Sequence, residues 1–326
     1  MSTYAAVKAA LTEKKLDESF ALAYSKKHFE EQYGRFLGVL SDFEEQYGKD
    51  DEREISLFSA PGRTEVSGNH TDHNHGRVIA AAVDLDAVAA ASKNGEGIVR
   101  VKSRGYNIDT VEITDLEVNS EDAGHSRSLV RGILARFKEL GYNIGGFDAT
   151  TASKVLSGSG LSSSAAFEVL VCTILNHLYN NGKISPVEIA KISQYAENVH
   201  FKKPCGLLDQ TACAVGGFVT IDFADPANPV IEKVPLDFEK TGHSLCIVDT
   251  KGSHSDLTGE YAAVRTEMEQ VAAFFGKKVL REISKKDVIE NAGAISKSVS
   301  ERAVLRALHF FNENERVEKQ VTFLKA

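Results

Sequence analysis

The sequence predicts an α+β fold of packed sheets and helices, divided between two domains. Three observations carry that prediction. A chain of 326 residues, 42% of them hydrophobic, is long for one core and comfortable for two. Strand-like and helix-like segments mix without the strict βαβ alternation of a doubly wound sheet. Neither an internal repeat nor a low-complexity linker interrupts the pattern.

The elements follow in order. In "SFALAYSKKHFEEQYGRFLGVLSDFEEQYG", Phe29, Tyr33, Phe36, Leu37 and Leu40 recur at three- and four-residue steps, so the first fifty residues read as helices. "EISLFSAPGR" is a strand running into a turn at Pro61-Gly62. "RVIAAAVDLDAVAAAS" and "GIVRVKSR" are strands, "RSLVRGILARFKELG" is an amphipathic helix stopped by Gly141, and "GGFDATTAS" is a short strand. "AFEVLVCTILNHLY" has the length and the sparse polarity of a buried helix. "SPVEIAKISQYAENVH" starts a helix with Ser185 as N-cap and Pro186 at the first helical position. "GGFVTIDF" and "HSLCIVDT" are strands; "SDLTGEYAAVRTEMEQVAAFFG" and Glu301 to Lys319 are helices. Gly276 to Ser300 carries no readable chemistry.

Composition narrows the partners. A net charge of −8 with interspersed Lys and Arg leaves no nucleic-acid footprint, so a small molecule or protein is expected, and a phosphate would need a local positive site. No stretch approaches the ~18 apolar residues of a membrane span, and the start has no signal-peptide pattern. Cys172, Cys205, Cys213 and Cys246 are scattered without a C-x-x-C pair, as expected of reduced, mostly buried thiols in the cytoplasm.

Three stretches carry chemistry. "LSGSGLSSSAAFEVL" sends Gly158, Ser159, Gly160, Leu161, Ser162, Ser163 and Ser164 directly into the long apolar helix. Such a loop presents unpaired N–H groups at a positive helix end, a ready anion site, with hydroxyls able to reach phosphate or magnesium. It lacks the Lys of a Walker A loop, the third glycine of a dinucleotide fingerprint and the elbow of a hydrolase. The bland alternative is a flexible linker ended by a capping serine. "QYAENVHFKKPCGLLDQTACAVGG" holds Glu197 and Asp209, twelve residues apart, one near a helix end and one at the next helix start. One carboxylate can take a metal while the other handles a proton, although without further context a carboxylate at a helix start reads first as an ordinary cap. "APGRTEVSGNHTDHNHG" puts Arg63 at a strand end, as a phosphate holder or a surface residue. Its cluster of His70, His73 and His75 suits zinc, a polar turn or a clamp for hydroxyls, but no matching Cys or His set with ligand spacing lies elsewhere.

In this order the three stretches resemble the galactokinases of the GHMP superfamily of small-molecule kinases. The histidine stretch is similar to the signature G-R-x-N-L-I-G-E-H-T-D-Y-N-x-G, "GLSSSA" to the superfamily's phosphate loop, and "CGLLDQ" to the C-G-I-M-D-Q segment. "HSDLTGEYAAVR" and "NENERV" also have counterparts, so nearly the whole chain is covered. The resemblance implies a two-domain GHMP fold with mixed sheets and an inter-domain active-site cleft. The domains would be residues 1–205, with the signature and phosphate loop, and 206–326, a partial C-terminal domain. It implies transfer of the γ-phosphoryl group of ATP to the anomeric hydroxyl of galactose, with magnesium. Asp209 would be the catalytic base and Arg63 its cationic partner. Gly158 to Ser164 would wrap the phosphates, and Ser164 and Glu197 would bind Mg²⁺. Asn69, His70, Asp72, Gly206 and Tyr261 would hold the sugar.

Two departures qualify what the resemblance implies. Asn69 stands where the family has Glu, Glu65 where it has Asn, Ser67 where it has Ile and His73 where it has Tyr, and Leu156 replaces a loop proline. The Asn69 change opens a kinase for another sugar, such as a uronic acid. The family pattern also continues past "NENERV" to a glycine-rich G-x-G-x-G-G loop, whereas "EKQVTFLKA" ends this chain and no such loop occurs in it. Truncation is the expected reason, leaving an incomplete C-terminal domain whose exposed apolar surface self-associates. The missing loop also motivates a catalytically silent galactose and ATP binder, and a metal-dependent hydrolase on the histidines is the remaining alternative.

Overall fold

A computed structural model of the chain describes residues 2–155, 158, 160–236, 238–243, 245, 246, 248 and 258–325, without the side chains of Glu239, Thr258 and Tyr261. Half of the strand expected over His243–Thr250 falls outside them, as does Ser159, and His243, Leu245, Cys246 and Val248, which are described, are not in a strand. The described residues form two compact units, Met1–Gly62 with Val83–Val215, and Arg63–Ala82 with Gly216–Ala326. This differs from a division after residue 205.

The first unit opens with β1 (Ser2–Thr3), α1 (Tyr4–Thr12), α2 (Asp17–Phe20) and α3 (Phe29–Tyr47). Tyr33, Phe36, Leu40 and Phe43 fall on one buried stripe of α3, as their spacing requires. The strands β2 (Glu54–Ser67), β3 (Arg77–Lys93), β4 (Ile98–Ser103), β5 (Ile108–Glu112) and β6 (Phe147–Ser153) follow, with α4 (Ser126–Glu139) before β6. Their order is β1-β2-β3-β6-β4-β5. β6 is antiparallel to β3, with Ala90 opposite Thr150, and parallel to β4, with Val101 opposite Ala149, so the sheet is mixed. A parallel pair needs a crossover, which α4 supplies.

β3 shows why its sequence reads as an unbroken apolar run. Val88 and Ala90 pack with Phe36, Leu40 and Phe43 on one face. Ala87, Ala89 and Ala91 pack with Ile133, Phe137, Leu170 and Ile174 on the other. A strand covered on both faces loses its alternation. The second face is covered by α4, α5 (Ser163–Asn180) and α6 (Pro186–Tyr195), and α7 (Leu208–Val215) joins that core through Cys213.

In the second unit the first five residues of β3 pair antiparallel with β7 (Phe218–Asp222), Arg77 opposite Asp222, and β7 pairs with β8 (Val230–Val234). This pairing is why residues 63–82 group with the C-terminal third, a connection that chain order hides. The helices are α8 (Thr258–Phe274), α9 (Lys285–Glu290), α10 (Ala292–Ser298) and α11 (Glu301–Lys325). Met268, Leu280, Val288, Ile295, Ala307 and Phe310 make their core. The stretch 276–300, mute in sequence, is thus structural, and Ser284 with Asp287 forms a reciprocal capping box on α9. No helix among the described residues is long and apolar enough to cross a membrane.

Candidate active site

The serine loop delivers its residues to the N-terminus of α5. Gly158 and Gly160 have φ of +76°, and Leu161 is buried against Val155 and Ala166. Ser162 directly precedes α5 at φ +58° and gives the helix no side-chain cap. Its hydroxyl instead donates to Asp209 Oδ2 at 2.5 Å. The amides of the first turn, beginning at Ser163, are therefore left at the positive end of the helix. Asp209 sits at the second position of α7, so the carboxylate reaches across to α5 from a neighbouring helix start.

Glu197 arrives by a different route. The helix expected through His200 is regular only to Tyr195, and Ala196–Phe201 form a wider π turn. The turn packs against α4 where a side chain will not fit: a Cβ on Gly132 would lie 2.9 Å from Ala196 Cα. π turns of this kind occur often at functional sites. Glu197, almost fully buried, accepts from Ser164 Oγ at 3.1 Å, Lys203 Nζ at 3.0 Å and Gln210 Nε2 at 2.8 Å.

Gln210 also donates to Glu168 Oε2, at 3.2 Å. Burial pushes the Glu168 carboxyl well above the ordinary range, and the Glu197 charge pushes it further. Burial works against the Lys203 ammonium, but Glu197 outweighs it and raises its pKa, so the lysine stays charged. Burial, then Glu197, raise the Cys205 thiol, which is inert as a nucleophile. Of the cysteines, Cys172 and Cys213 are buried, Cys205 is half-buried and Cys246 is exposed, fewer buried than expected. Gly206 is exposed in the segment leading to α7.

The histidine loop belongs to the second unit. Its interior is tied to its own backbone: Thr71 Oγ lies 2.8 Å from the Gly68 carbonyl and 3.0 Å from that of Arg77. Asn74, fully buried, accepts the Leu280 N–H at 3.0 Å. Gly68 has φ +91°, and a Cβ there would lie 2.2 Å from the Arg77 carbonyl oxygen. The polar residues between these anchors are the exposed Asn69 and the half-buried His70, Asp72, His73 and His75. His70 and His75 hold left-handed backbone at φ +57° and +61°, strain of the kind found where a site is over-determined. Burial, then His73, lower the His70 pKa, so its imidazole is neutral at pH 7. Burial alone would raise Asp72, but the His73 hydrogen bond and charge outweigh it, holding the carboxyl below its usual range. Asn69 Nδ2 donates to Glu65 Oε2 at 3.1 Å, joining two of the positions that depart from the family signature.

The structure thus brings Ser162, Ser164, Glu197 and Asp209 together in the first unit, and Asn69, His70 and Asp72 in the second. Arg63 stands at the start of the second unit, on β2. Tyr261 lies on α8, its side chain outside the described residues. Sequence reading missed Glu168, Lys203 and Gln210. A lone carboxylate inside the apolar run "AFEVLVC" was the available signal for the first. It also gave "NENERV" no role, although Glu313 and Asn314 bind the ends of the histidine loop.

The model for the GHMP kinases N terminal domain matches residues 128–217, and that for the galactokinase galactose-binding signature matches residues 41–93. The galactokinase of Streptomyces coelicolor is 36% identical over 290 residues, covering 87% of this chain and 72% of that protein. That of Glaesserella parasuis is 34% identical, covering 88% and 72%. Among solved structures, Lactococcus lactis galactokinase complexed with galactose superposes with a TM-score of 0.70 at 24% identity, covering 87% of this chain and 73% of that one. Methanococcus jannaschii mevalonate kinase shares the fold at 0.51 and 16%, covering 82% and 80%. With 36% identity to a galactokinase across 72% of that protein's length, this chain belongs to the galactokinase family of GHMP kinases.

Proposed function

We propose that this protein transfers the γ-phosphoryl group of ATP to the anomeric hydroxyl of galactose, giving galactose 1-phosphate. The observation that carries the reading is the hydrogen bond from Ser162, at the open N-terminus of α5, to Asp209. It sets a carboxylate beside an anion-binding helix end, the pairing a phosphoryl transfer to a hydroxyl requires.

In this reading the α5 amides and the loop from Gly158 to Ser164 take the phosphates. Asp209 orients the sugar hydroxyl and accepts its proton, while the Ser162 hydroxyl fixes the direction of the carboxylate. Arg63 balances charge in transfer. Ser164 and Glu197 fit magnesium: they are hard oxygen donors 3.1 Å apart, and this ion is commonly held by one or two carboxylates together with substrate phosphates. A magnesium ion held by them would supply charge neutralisation to the phosphates. Gln210 and Lys203 hold Glu197 in place. Asn69, neutral His70, ionised Asp72, Gly206 and Tyr261 bind the sugar; a neutral imidazole offers one donor and one acceptor to hydroxyls. The reaction belongs to the cytoplasm.

A panel of sugars incubated with ATP and magnesium tests the proposal. Galactose phosphate is the expected product. Turnover of a uronic acid but not of galactose, or of no sugar at all, sinks it.

A further inference from the structure

The histidine loop is closed at its ends by the pairing of β2 with β3 and by Thr71, and it is gripped again from outside. The Gly68 N–H, where the chain enters the loop, donates to Glu313 Oε2 at 3.0 Å. The Arg77 N–H, where the chain leaves it, donates to Asn314 Oδ1 at 2.7 Å. The two acceptors are consecutive residues of α11, and both are buried. One turn earlier on the same helix, His309 Nε2 lies 2.8 Å from the Asn69 carbonyl. One turn later, Glu318 pairs with the Arg77 guanidinium at 2.6 Å. Glu313 is itself paired with Arg316. Four side chains over ten residues of one helix thus grip residues 68, 69 and 77. Three of the four contacts are to backbone, so they fix the path of the loop rather than any side chain.

We propose that Glu313 and Asn314 are positioning residues for sugar binding: α11 anchors the two closed loop ends, and thereby the placement of Asn69, His70 and Asp72. Neither residue needs to touch the sugar. This inference rests on the histidine loop being the sugar site. A buried N–H stripped of its acceptor loses a hydrogen bond and its water together, so the loop end moves to find another partner. Binding that depends on several directed hydroxyl contacts falls steeply with such a shift.

The test measures galactose and ATP affinity separately, by calorimetry, on the full chain. Asn314→Leu removes the acceptor at similar volume and should weaken galactose binding tenfold or more, with ATP affinity within twofold of wild type. Asn314→Asp keeps an acceptor oxygen and should return galactose affinity to within about threefold, which a packing role alone would not require. If Asn314→Leu does not fold, His309→Ala, at a half-exposed position, carries the test, with a several-fold loss confined to galactose. Equal loss of both affinities, unchanged galactose binding by folded Asn314→Leu, or no rescue by Asn314→Asp overturns the inference. Wild-type protein that binds ATP but no galactose overturns the sugar reading itself.

Discussion

The serine loop and the histidine loop are built on opposite plans. Around the serine loop, side chains bind side chains: Ser162 to Asp209, Ser164 to Glu197, Gln210 to Glu197 and Glu168. The loop glycines Gly158 and Gly160 are exposed, with none of the described residues within 4 Å of where a Cβ would stand. Around the histidine loop, buried side chains bind backbone, and a Cβ on Gly68 has no space at all. A phosphate is recognised by amides and charge, which tolerate adjustment of the chain. A sugar is told from its isomers by the direction of each hydroxyl, which requires a fixed loop. The two sites should therefore fail differently when damaged, the first in chemistry and the second in stability and affinity.

The largest effect is expected at Asp209. Asp209→Ala should lower kcat by about 10³-fold, within the range of a lost general base, and leave ATP affinity within about twofold. Steady-state rates and calorimetric ATP binding on the same preparation check it. A large loss of ATP affinity would assign Asp209 to the phosphate site instead.

Next come the two glycines. Gly68→Ala puts a methyl 2.2 Å from the Arg77 carbonyl oxygen at φ +91°, so backbone must move. It should cost more than about 2 kcal/mol and weaken galactose binding. Gly160→Ala, at φ +76° with none of the described residues near its Cβ, should carry the left-handed penalty of about 1 kcal/mol. Thermal melts of both variants compare the plans directly, and equal losses would erase the distinction.

A pH dependence separates the first site further. Glu168 has a raised pKa in the folded protein, so folding retains a proton that the unfolded chain releases near its ordinary value. Its contribution to stability is full below the unfolded pKa and is lost as pH rises towards the folded one, at up to about 1.4 kcal/mol per pH unit. Glu168→Gln keeps the neutral shape without the proton. Melts between pH 5 and 9 should show its stability gaining on wild type as pH rises. Parallel curves would mean Glu168 is not the proton holder.

Much of this was legible in sequence, for physical reasons that also mark the limits. The elements read well where one signal dominated, the periodicity of α3 and the long apolar run of α5. The residues of the serine loop were legible because they are consecutive in the chain. Partners such as Glu168 with Gln210, or Gly68 with Glu313, were not, because they lie 42 and 245 residues apart and only the fold brings them together. The π turn was hidden because its one extra residue leaves the apolar pattern of Ile189, Ile192 and Ala196 intact.

The smallest effect belongs to the pair at the rim of the histidine loop. The family signature has Asn and Glu where this chain has Glu65 and Asn69, so carboxylate and amide have changed places, and here they hydrogen-bond at 3.1 Å. If the pair works as a unit, its order matters less than its composition. Asn69→Glu alone sets two carboxylates side by side and should lower kcat/KM for galactose several-fold. Adding Glu65→Asn should restore most of that loss. The coupling should be about 0.5–1 kcal/mol, the scale of an exposed polar pair. A double-mutant cycle on kcat/KM measures it. Strictly additive losses would show two independent positions, and the carboxylate at 65 would then be no substitute for the one the family keeps at 69.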